Sequence, residues 1–299
     1  MTAAAPIPPE TTATDSRQTA LAALMVVGSC TSLQFGAALA TQLFPAAGSW
    51  GASTARLVVA ALVLLVWVRP RVSGWSRRTW TSVIIFGLTL GFMNGFFYAA
   101  VARLPLGIAV TFEFLGPLLL AAALSRRWTD LFWVLVALGG VALLGLDSLL
   151  GATSLDPVGV AFALVAAASW AAYIVAGNRV SRTLPGRDGL AVGMAIGALV
   201  TLPLGASGAL RVLDDPWLVL LALGTGLLAS VIPYTLEFAA LRRLDPGTFG
   251  ILVSLEPGIA ALIGMLVMGQ VLGVWSWVAV VLVIVASVGA TRMRRATAA

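Results

Sequence analysis

Apolar runs of about twenty residues, each closed by a short polar break, fill this chain from Leu21 to Ala290. A helix needs about twenty apolar residues to cross a bilayer core. The runs cover roughly 20–43, 49–68, 79–102, 106–124, 130–146, 158–178, 189–206, 216–240, 247–268 and 273–290, which predicts ten transmembrane helices. The breaks fall at Phe44-Pro45, Arg69-Pro70, Leu104-Pro105, Asp156-Pro157, Pro185-Gly186, Asp215-Pro216 and Asp245-Pro246, where proline ends or opens a helix. Loops this short predict a compact bundle with no soluble domain hung from it. A nine-helix reading would leave one run outside the membrane and place the two arginine-rich ends on opposite sides.

The pattern also repeats. Ala99, Ala100, Arg103, Leu104, Gly107, Leu115, Pro117 and Ala121 match Ala239, Ala240, Arg243, Leu244, Gly247, Leu255, Pro257 and Ala261, 140 residues later and without gaps. In the first copy the pair Arg126-Arg127 follows the segment; in the second, Arg242-Arg243 precedes its apolar run. Arginine stays on the cytoplasmic side, so like halves with swapped arginine pairs are inserted upside down relative to each other. The expected fold class is therefore an all-α membrane protein with ten transmembrane helices as two inverted five-helix repeats. Its expected parts are a disordered tail at 1–18, a first repeat at 20–146, a second at 158–290 and a basic cytoplasmic tail at 291–299.

Composition agrees with a membrane class. The chain is 60% hydrophobic and 10% charged, with a mean hydropathy of +1.01, more apolar surface than a water-soluble fold can hide. Its basic residues are all arginine. With the N-terminus inside, Arg17, Arg69, Arg71, Arg77, Arg78, Arg126, Arg127, Arg179, Arg182, Arg187, Arg242, Arg243, Arg292, Arg294 and Arg295 fall in inner loops and tails, against only Arg103 and Arg211 outside. Asp147, Asp156, Asp214 and Asp215 also fall outside. This predicts a multi-pass protein of the cell (inner or plasma) membrane with both termini cytoplasmic. The start of the chain does not read as a signal peptide, because acidic residues and prolines precede the apolar run. No basic stripe with an aromatic module points to nucleic acid. The single Cys30 excludes an intrachain disulfide, and the absence of histidine removes the commonest general base and metal ligand. No cofactor and no metal are expected.

Polar residues inside the spans carry the functional signal, because an ionised group at the bilayer centre costs at least ~2.5–3.5 kcal/mol. Arg56, Asn94 and Glu113 each come out roughly 10 Å from the outer end of their helix at the helical rise. Shared depth makes an Arg56–Glu113 pair geometrically possible, either as a structural lock or as part of a site. Glu113 sits just before Gly116-Pro117, which weakens the helix one turn on. Such breaks line cavities and mark transport sites. Glu256 directly precedes Pro257 near mid-membrane; aligning the prolines sets it opposite Gly116, so the two acids are related without being symmetry mates. Carboxylates at this depth form proton relays, and Glu256 is the first candidate for proton coupling. Glu237 lies about one turn from the cytoplasmic end of its helix, three residues after Tyr234 and beside the bend at Pro233, where snorkelling into water competes with a substrate role. Trp170 and Tyr173 share a face of the sixth span, as packing or as cavity lining. Gly87, Gly91 and Gly95 line one helix face and read as helix packing. Trp67, Trp80, Trp128, Trp133, Trp217, Trp275 and Trp277 fall near span ends as interfacial anchors.

Residues 107–117 read Gly-Ile-Ala-Val-Thr-Phe-Glu-Phe-Leu-Gly-Pro, and 233–244 read Pro-Tyr-Thr-Leu-Glu-Phe-Ala-Ala-Leu-Arg-Arg-Leu, continued at 248–257 by Thr-Phe-Gly-Ile-Leu-Val-Ser-Leu-Glu-Pro. With these motifs the chain, over about residues 20–290, resembles the drug/metabolite transporter superfamily with two EamA-type halves. Within it the chain is most similar to the inner-membrane threonine/homoserine exporters. The resemblance implies a ten-helix inverted-repeat bundle with a central cavity that exports small amino acids, plausibly coupled to proton entry. One departure stands out: many superfamily halves end the equivalent helix with Gly-Glu, whereas this chain has Gly269-Gln270 and, in the first half, Ser125-Arg126.

The leading expectation is thus a carrier whose partners are a small amino-acid substrate, the lipid bilayer and protons. A zwitterion needs a carboxylate for its ammonium and a donor for its carboxylate; Glu113 and Arg56, with Asn94 and Tyr98 nearby, supply both, and Trp170, Tyr173, Tyr234 and Glu237 complete the candidate binding residues. A carrier for other small molecules, such as aromatic compounds or purines, is the alternative and would need a wider, aromatic-lined cavity. An intramembrane enzyme is disfavoured because no paired serine or aspartate motif is present. A reporter active only in the cytoplasm, fused after Ala299, is expected to be active; activity of a periplasm-only reporter there would overturn the ten-helix topology.

Overall fold

The computed structural model describes residues 11–124, 128–149, 155–184, 187–241, 243–244 and 246–295. Arg126, Arg127, Pro185, Gly186, Arg242 and Asp245, on which parts of the sequence reading rest, lie outside the described residues. What is described is helical, with no strand. The helices are α1 (Thr11–Ala40), α2 (Phe44–Val68), α3 (Arg77–Val101), α4 (Leu106–Glu113), α5 (Leu115–Ala123), α6 (Trp128–Leu149), α7 (Pro157–Thr183), α8 (Asp188–Arg211), α9 (Pro216–Gly226), α10 (Ile232–Leu241), α11 (Pro246–Val253), α12 (Glu256–Met268) and α13 (Val274–Arg295). α1 begins inside the stretch expected as a tail.

The boundaries follow local chemistry. The Ser76 hydroxyl accepts from Thr79 N at the start of α3. Asp156 accepts from Val158 N and Gly159 N at the start of α7, and Asp215 from Trp217 N at the start of α9, each followed by proline at the first helical position. Asp156 also takes a 2.6 Å bond from Arg103. That bond, followed by the backbone donors, holds this exposed carboxyl below the usual aspartate range. α12 ends on Gly269 at φ 65°, the left-handed conformation that glycine adopts without strain.

Six helical stretches are long and apolar enough to cross a membrane: Ala20–Val68, Arg77–Val101, Pro157–Thr183, Asp188–Asp214, Pro216–Glu237 and Thr248–Met268. Three shorter apolar helices, Leu106–Leu120, Leu131–Leu144 and Val274–Gly289, accompany them. Ala20–Val68 contains a 3-10 turn at Thr41–Leu43 and a non-helical Gly48 at φ 69° and ψ 169°, so the chain turns there. Two of the runs read from the sequence lie on either side of this turn. Leu24, Val66, Leu199, Leu204, Leu266 and Val271 are all exposed, an outward apolar face that only lipid accommodates. The chain is an all-helical, multi-pass membrane protein.

Helix ends recur along the chain. α3 ends at Val101 and α10 at Leu241; α4 spans Leu106–Glu113 and α11 spans Pro246–Val253, each boundary 140 residues from its counterpart. Packing recurs as well. α2 lies along α8 and α6 along α13, while α1 packs on α9 to α12 as α7 packs on α3 to α5. Gly87 and Gly91 face Ile196 and Gly197 of α8, so that stripe is helix packing; Gly95 faces the Trp50 ring. α2 and α8 touch backbone to backbone: a Cβ on Gly51 would lie 2.8 Å from the Gly208 Cα. Gly51→Val is therefore expected to cost about 1–3 kcal/mol, read as earlier loss of monodisperse protein on heating in detergent. Gly139→Val, whose Cβ meets nothing within 4 Å, is the control and should change little.

Candidate functional site

Three prolines decide the backbone at membrane depth. In an α-helix each N–H bonds the carbonyl four residues back, so Pro117 leaves Glu113 O without its donor, Pro257 leaves Val253 O, and Pro233 leaves Ala229 O. The consequences are visible. α4 stops at Glu113 and α5 restarts at Leu115; α11 stops at Val253 and α12 restarts at Glu256. Between α9 and α10 the chain widens into a π-helical turn at Leu227–Val231, where Ile232 N bonds Leu227 O. With bonds reaching five residues back, Pro233 also fails Leu228 O.

Side chains from other helices replace the donors missing at Pro233. Arg56 of α2 donates from Nη2 to Ala229 O at 2.5 Å, from Nε to Ser230 Oγ at 3.1 Å and from Nη1 to the Tyr98 hydroxyl at 3.2 Å. Its guanidinium also lies 5.3 Å from the Tyr98 ring centre. Ser32 of α1 donates to Leu228 O at 2.7 Å. Arg56 is 3% exposed, and its three bonds pin the π-turn to α2 and α3. The pair expected between Arg56 and Glu113 is not a direct one: the guanidinium bonds Ala229 O, Ser230 Oγ and the Tyr98 hydroxyl instead, and no ion pair joins it to Glu113 among the described residues. Equal depth put the two side chains in the same layer, but the carbonyl freed by Pro233 and its neighbours took the guanidinium's donors.

Glu113 ends α4, is 9% exposed, and takes no hydrogen bond among the described residues. It lies within electrostatic reach of Glu256 and of Arg56. Glu256 is the first residue of α12, where the helix N-terminus favours negative charge, and its Oε1 accepts from Gln34 Nε2 at 2.8 Å. The Oε1 of Glu237 accepts from Ser29 Oγ at 2.8 Å, and Glu237 lies within electrostatic reach of Glu256. Tyr234 lies within electrostatic reach of Tyr173, Arg56, Glu237 and Glu113. Tyr173 stacks on Phe86 at 4.9 Å. Arg56, Tyr98, Glu113, Tyr173, Tyr234, Glu237 and Glu256 thus form one polar interior, contributed by six helices.

Two candidates stand aside. Asn94 is buried but its amide donates to Leu90 O in its own helix at 2.9 Å. Trp170 packs edge-on against Phe114, the residue at the α4–α5 break, at 5.0 Å. Sequence reasoning missed Ser29, Ser32, Gln34 and Ser230, although Gln34 was a findable signal as an amide inside an apolar run. Gln270 answers the departure from Gly-Glu: its Oε1 accepts from Leu106 N at 3.0 Å, so an amide oxygen caps α4 as a carboxylate would. Among the described residues no three of His, Cys, Asp and Glu gather as metal ligands.

This arrangement fixes an expectation for Arg56. Arg56→Leu should destabilise the protein by on the order of 1.5–3 kcal/mol, the worth of hydrogen bonds from a charged donor. Adding Glu113→Gln should restore little of that, measured by thermal denaturation of the purified variants. Full restoration by the double replacement would mean that Glu113 is the true partner.

Comparison with known proteins extends the picture. A family model described as the EamA-like transporter family matches residues 157–292. The threonine/homoserine exporter RhtA of Salmonella typhimurium is 38% identical over 271 residues, 90% of this chain and 90% of its own. Its Escherichia coli K12 counterpart is 38% identical over 263 residues, 87% of this chain and 88% of its own. The uncharacterized transporter YwfM of Bacillus subtilis is 29% identical over 237 residues, covering 74% and 76%. A solved crystal structure aligns over 92% of this chain and 97% of its own with a TM-score of 0.56, at 22% identity that speaks for the fold alone. With the exporter match running through nine-tenths of an all-helical membrane chain, this protein belongs to the EamA-type drug/metabolite transporter family and is similar to its threonine/homoserine exporters.

Proposed function

We propose that this transporter exports small neutral amino acids such as threonine and homoserine across the inner membrane in exchange for protons. The observation that carries the reading is Glu113: a carboxylate buried beside a helix break, with no hydrogen-bond partner among the described residues, between the cation Arg56 and the acid Glu256. A buried ionisable group left without a partner is expensive, and a substrate ammonium is the partner that such a site lacks. Arg56 has five N–H donors and uses three, so two remain for a substrate carboxylate. Tyr98, Tyr173 and Tyr234 offer hydroxyl groups around the same space, with Asn94 and Trp170 at its edges. Glu256 loads and releases the coupling proton.

The architecture that fits is ten transmembrane helices as two inverted five-helix repeats, at 20–146 and 158–290, between a tail at 1–18 and a basic tail at 291–299. The recurring helix boundaries and the exchangeable packing of α1 and α7 support it, and the arginine distribution supports cytoplasmic termini. Aromatic compounds are a second reading, favoured by the Trp170–Phe114 and Tyr173–Phe86 pairs.

In vesicles, Glu113→Gln is expected to weaken threonine binding by about tenfold or more, the cost of removing a charged partner from a buried site. Glu256→Gln, which mimics the protonated acid, should abolish accumulation driven by a pH gradient while threonine exchange persists. Normal accumulation by Glu256→Gln would remove that residue from coupling. Competition by aromatic amino acids but not by homoserine would favour the second reading.

A further inference from the structure

We propose that Glu237 is the cytoplasmic station of a proton path that begins at Glu256, and that α1 holds both stations through Gln34 and Ser29. This rests on the proton-coupled reading above. Two features of the geometry carry it.

The first is the nature of the partners. Glu256 is held by an amide and Glu237 by a hydroxyl, at 2.8 Å each. Both groups donate as well as accept. A guanidinium would lock a carboxylate in its charged form, whereas these partners serve either form. The Ser29 hydroxyl donates to an ionised Glu237 and accepts from a neutral one. Gln34 is 1% exposed and its Oε1 has no hydrogen-bond partner. An acceptor buried without a donor is costly. A protonated Glu256 supplies that donor once the amide turns half a revolution about its last bond.

The second is placement. Ser29 and Gln34 lie about 7–8 Å apart along α1 at the helical rise, so the two acids sit in sequence beside one helix. Glu256 is 6% exposed, while Glu237 is only half-buried and lies four residues before the end of α10 at Leu241. The titratable groups facing Glu237 are Cys30 of α1, Glu256 of α12, Tyr173 of α7 and Tyr234 of its own helix. Arg56 of α2 and Glu113 of α4 reach Tyr234. Arg243, past the end of α10, donates to Ala239 O. Among the described residues, no cation bonds Glu237, which has a neutral hydroxyl partner and a second acid within reach. In the step itself, the O–H bond of neutral Glu256 breaks and the proton passes through intervening water to the Glu237 carboxylate, where a new O–H bond forms. Glu256 becomes the anion. Glu237 then returns the proton to water on the cytoplasmic side.

Inside-out membrane vesicles test this, because their bath is the cytoplasmic side. Labelled L-threonine is followed in two assays: exchange without a gradient, and accumulation driven by an acidic lumen. Glu237→Gln should keep exchange within about twofold and slow driven accumulation by about a hundredfold or more, the usual scale for losing a positioned proton-transfer group. It should also flatten the dependence of the driven rate on bath pH. Ser29→Ala, which keeps the carboxyl, should slow the driven rate less, and Glu237→Asp should restore part of it. Preserved exchange shows that each variant is folded. Loss of exchange and accumulation in equal measure would make Glu237 a substrate ligand and overturn the proposal, as would an unchanged driven rate. Failure of the unmodified protein to accumulate threonine on a pH gradient would instead remove the proton-coupled reading itself.

Discussion

Every backbone carbonyl inside a bilayer needs a donor from the protein, because the hydrocarbon has none to offer. Proline at positions 117, 233 and 257 withdraws donors at membrane depth, and the interior of this transporter is arranged around that deficit. The chain settles it in two ways. At α4–α5 and α11–α12 the helix is interrupted and restarted, so that an acid stands at or beside each break: Glu113 as the last residue before one, Glu256 as the first after the other. At α9–α10 the helix stays continuous by widening, and Arg56 and Ser32 reach across from α2 and α1 to the carbonyls of Ala229 and Leu228. A buried arginine that satisfies backbone as well as facing acids ties the site's electrostatics to its helix geometry. Its removal would disturb both.

Much of the fold was legible because its causes are local. Apolar run length, proline position and capping aspartates set most of the helix boundaries, and Pro117 and Pro257 mark the breaks in the residues themselves. The 140-residue repeat read from residue identities reappears as helix ends, Val101 with Leu241 and Glu113 with Val253. The π-turn was legible only as a bend at Pro233. Register widening depends on whether neighbouring helices bring donors, and Ser32 and Arg56 are 196 and 173 residues distant in sequence from the carbonyls they bond.

The site was legible as a set of residues and far less as a set of bonds. Depth counting placed Arg56, Asn94 and Glu113 in one layer, but depth says nothing about azimuth. Asn94 turned out to bond its own helix, and Arg56 found the freed carbonyl. Gln34 and Ser29 escaped notice for the opposite reason. A lone amide or hydroxyl costs far less than a charge in an apolar run, so it raises a weak alarm in sequence, yet each holds one of the acids.

The two halves share backbone breaks but not the chemistry at them, and the proposed function divides between them along that line. In the first half, the acid at the break has no hydrogen-bond partner among the described residues and a cation within reach, a setting that welcomes a zwitterion. In the second half, the acids at Glu256 and Glu237 are each bonded to a neutral group that tolerates both protonation states, a setting that welcomes a proton. Glu113 and Glu256 also lie within each other's field, so two negative charges at these sites oppose one another. An ammonium at Glu113 relieves that repulsion and lets Glu256 give up its proton. Protonation of Glu256 relieves it as well, and lets Glu113 release its ligand without leaving two bare charges together. In the proposed function, a shared field between two unlike carboxylates would therefore link substrate and proton occupancy without any contact between the two ligands.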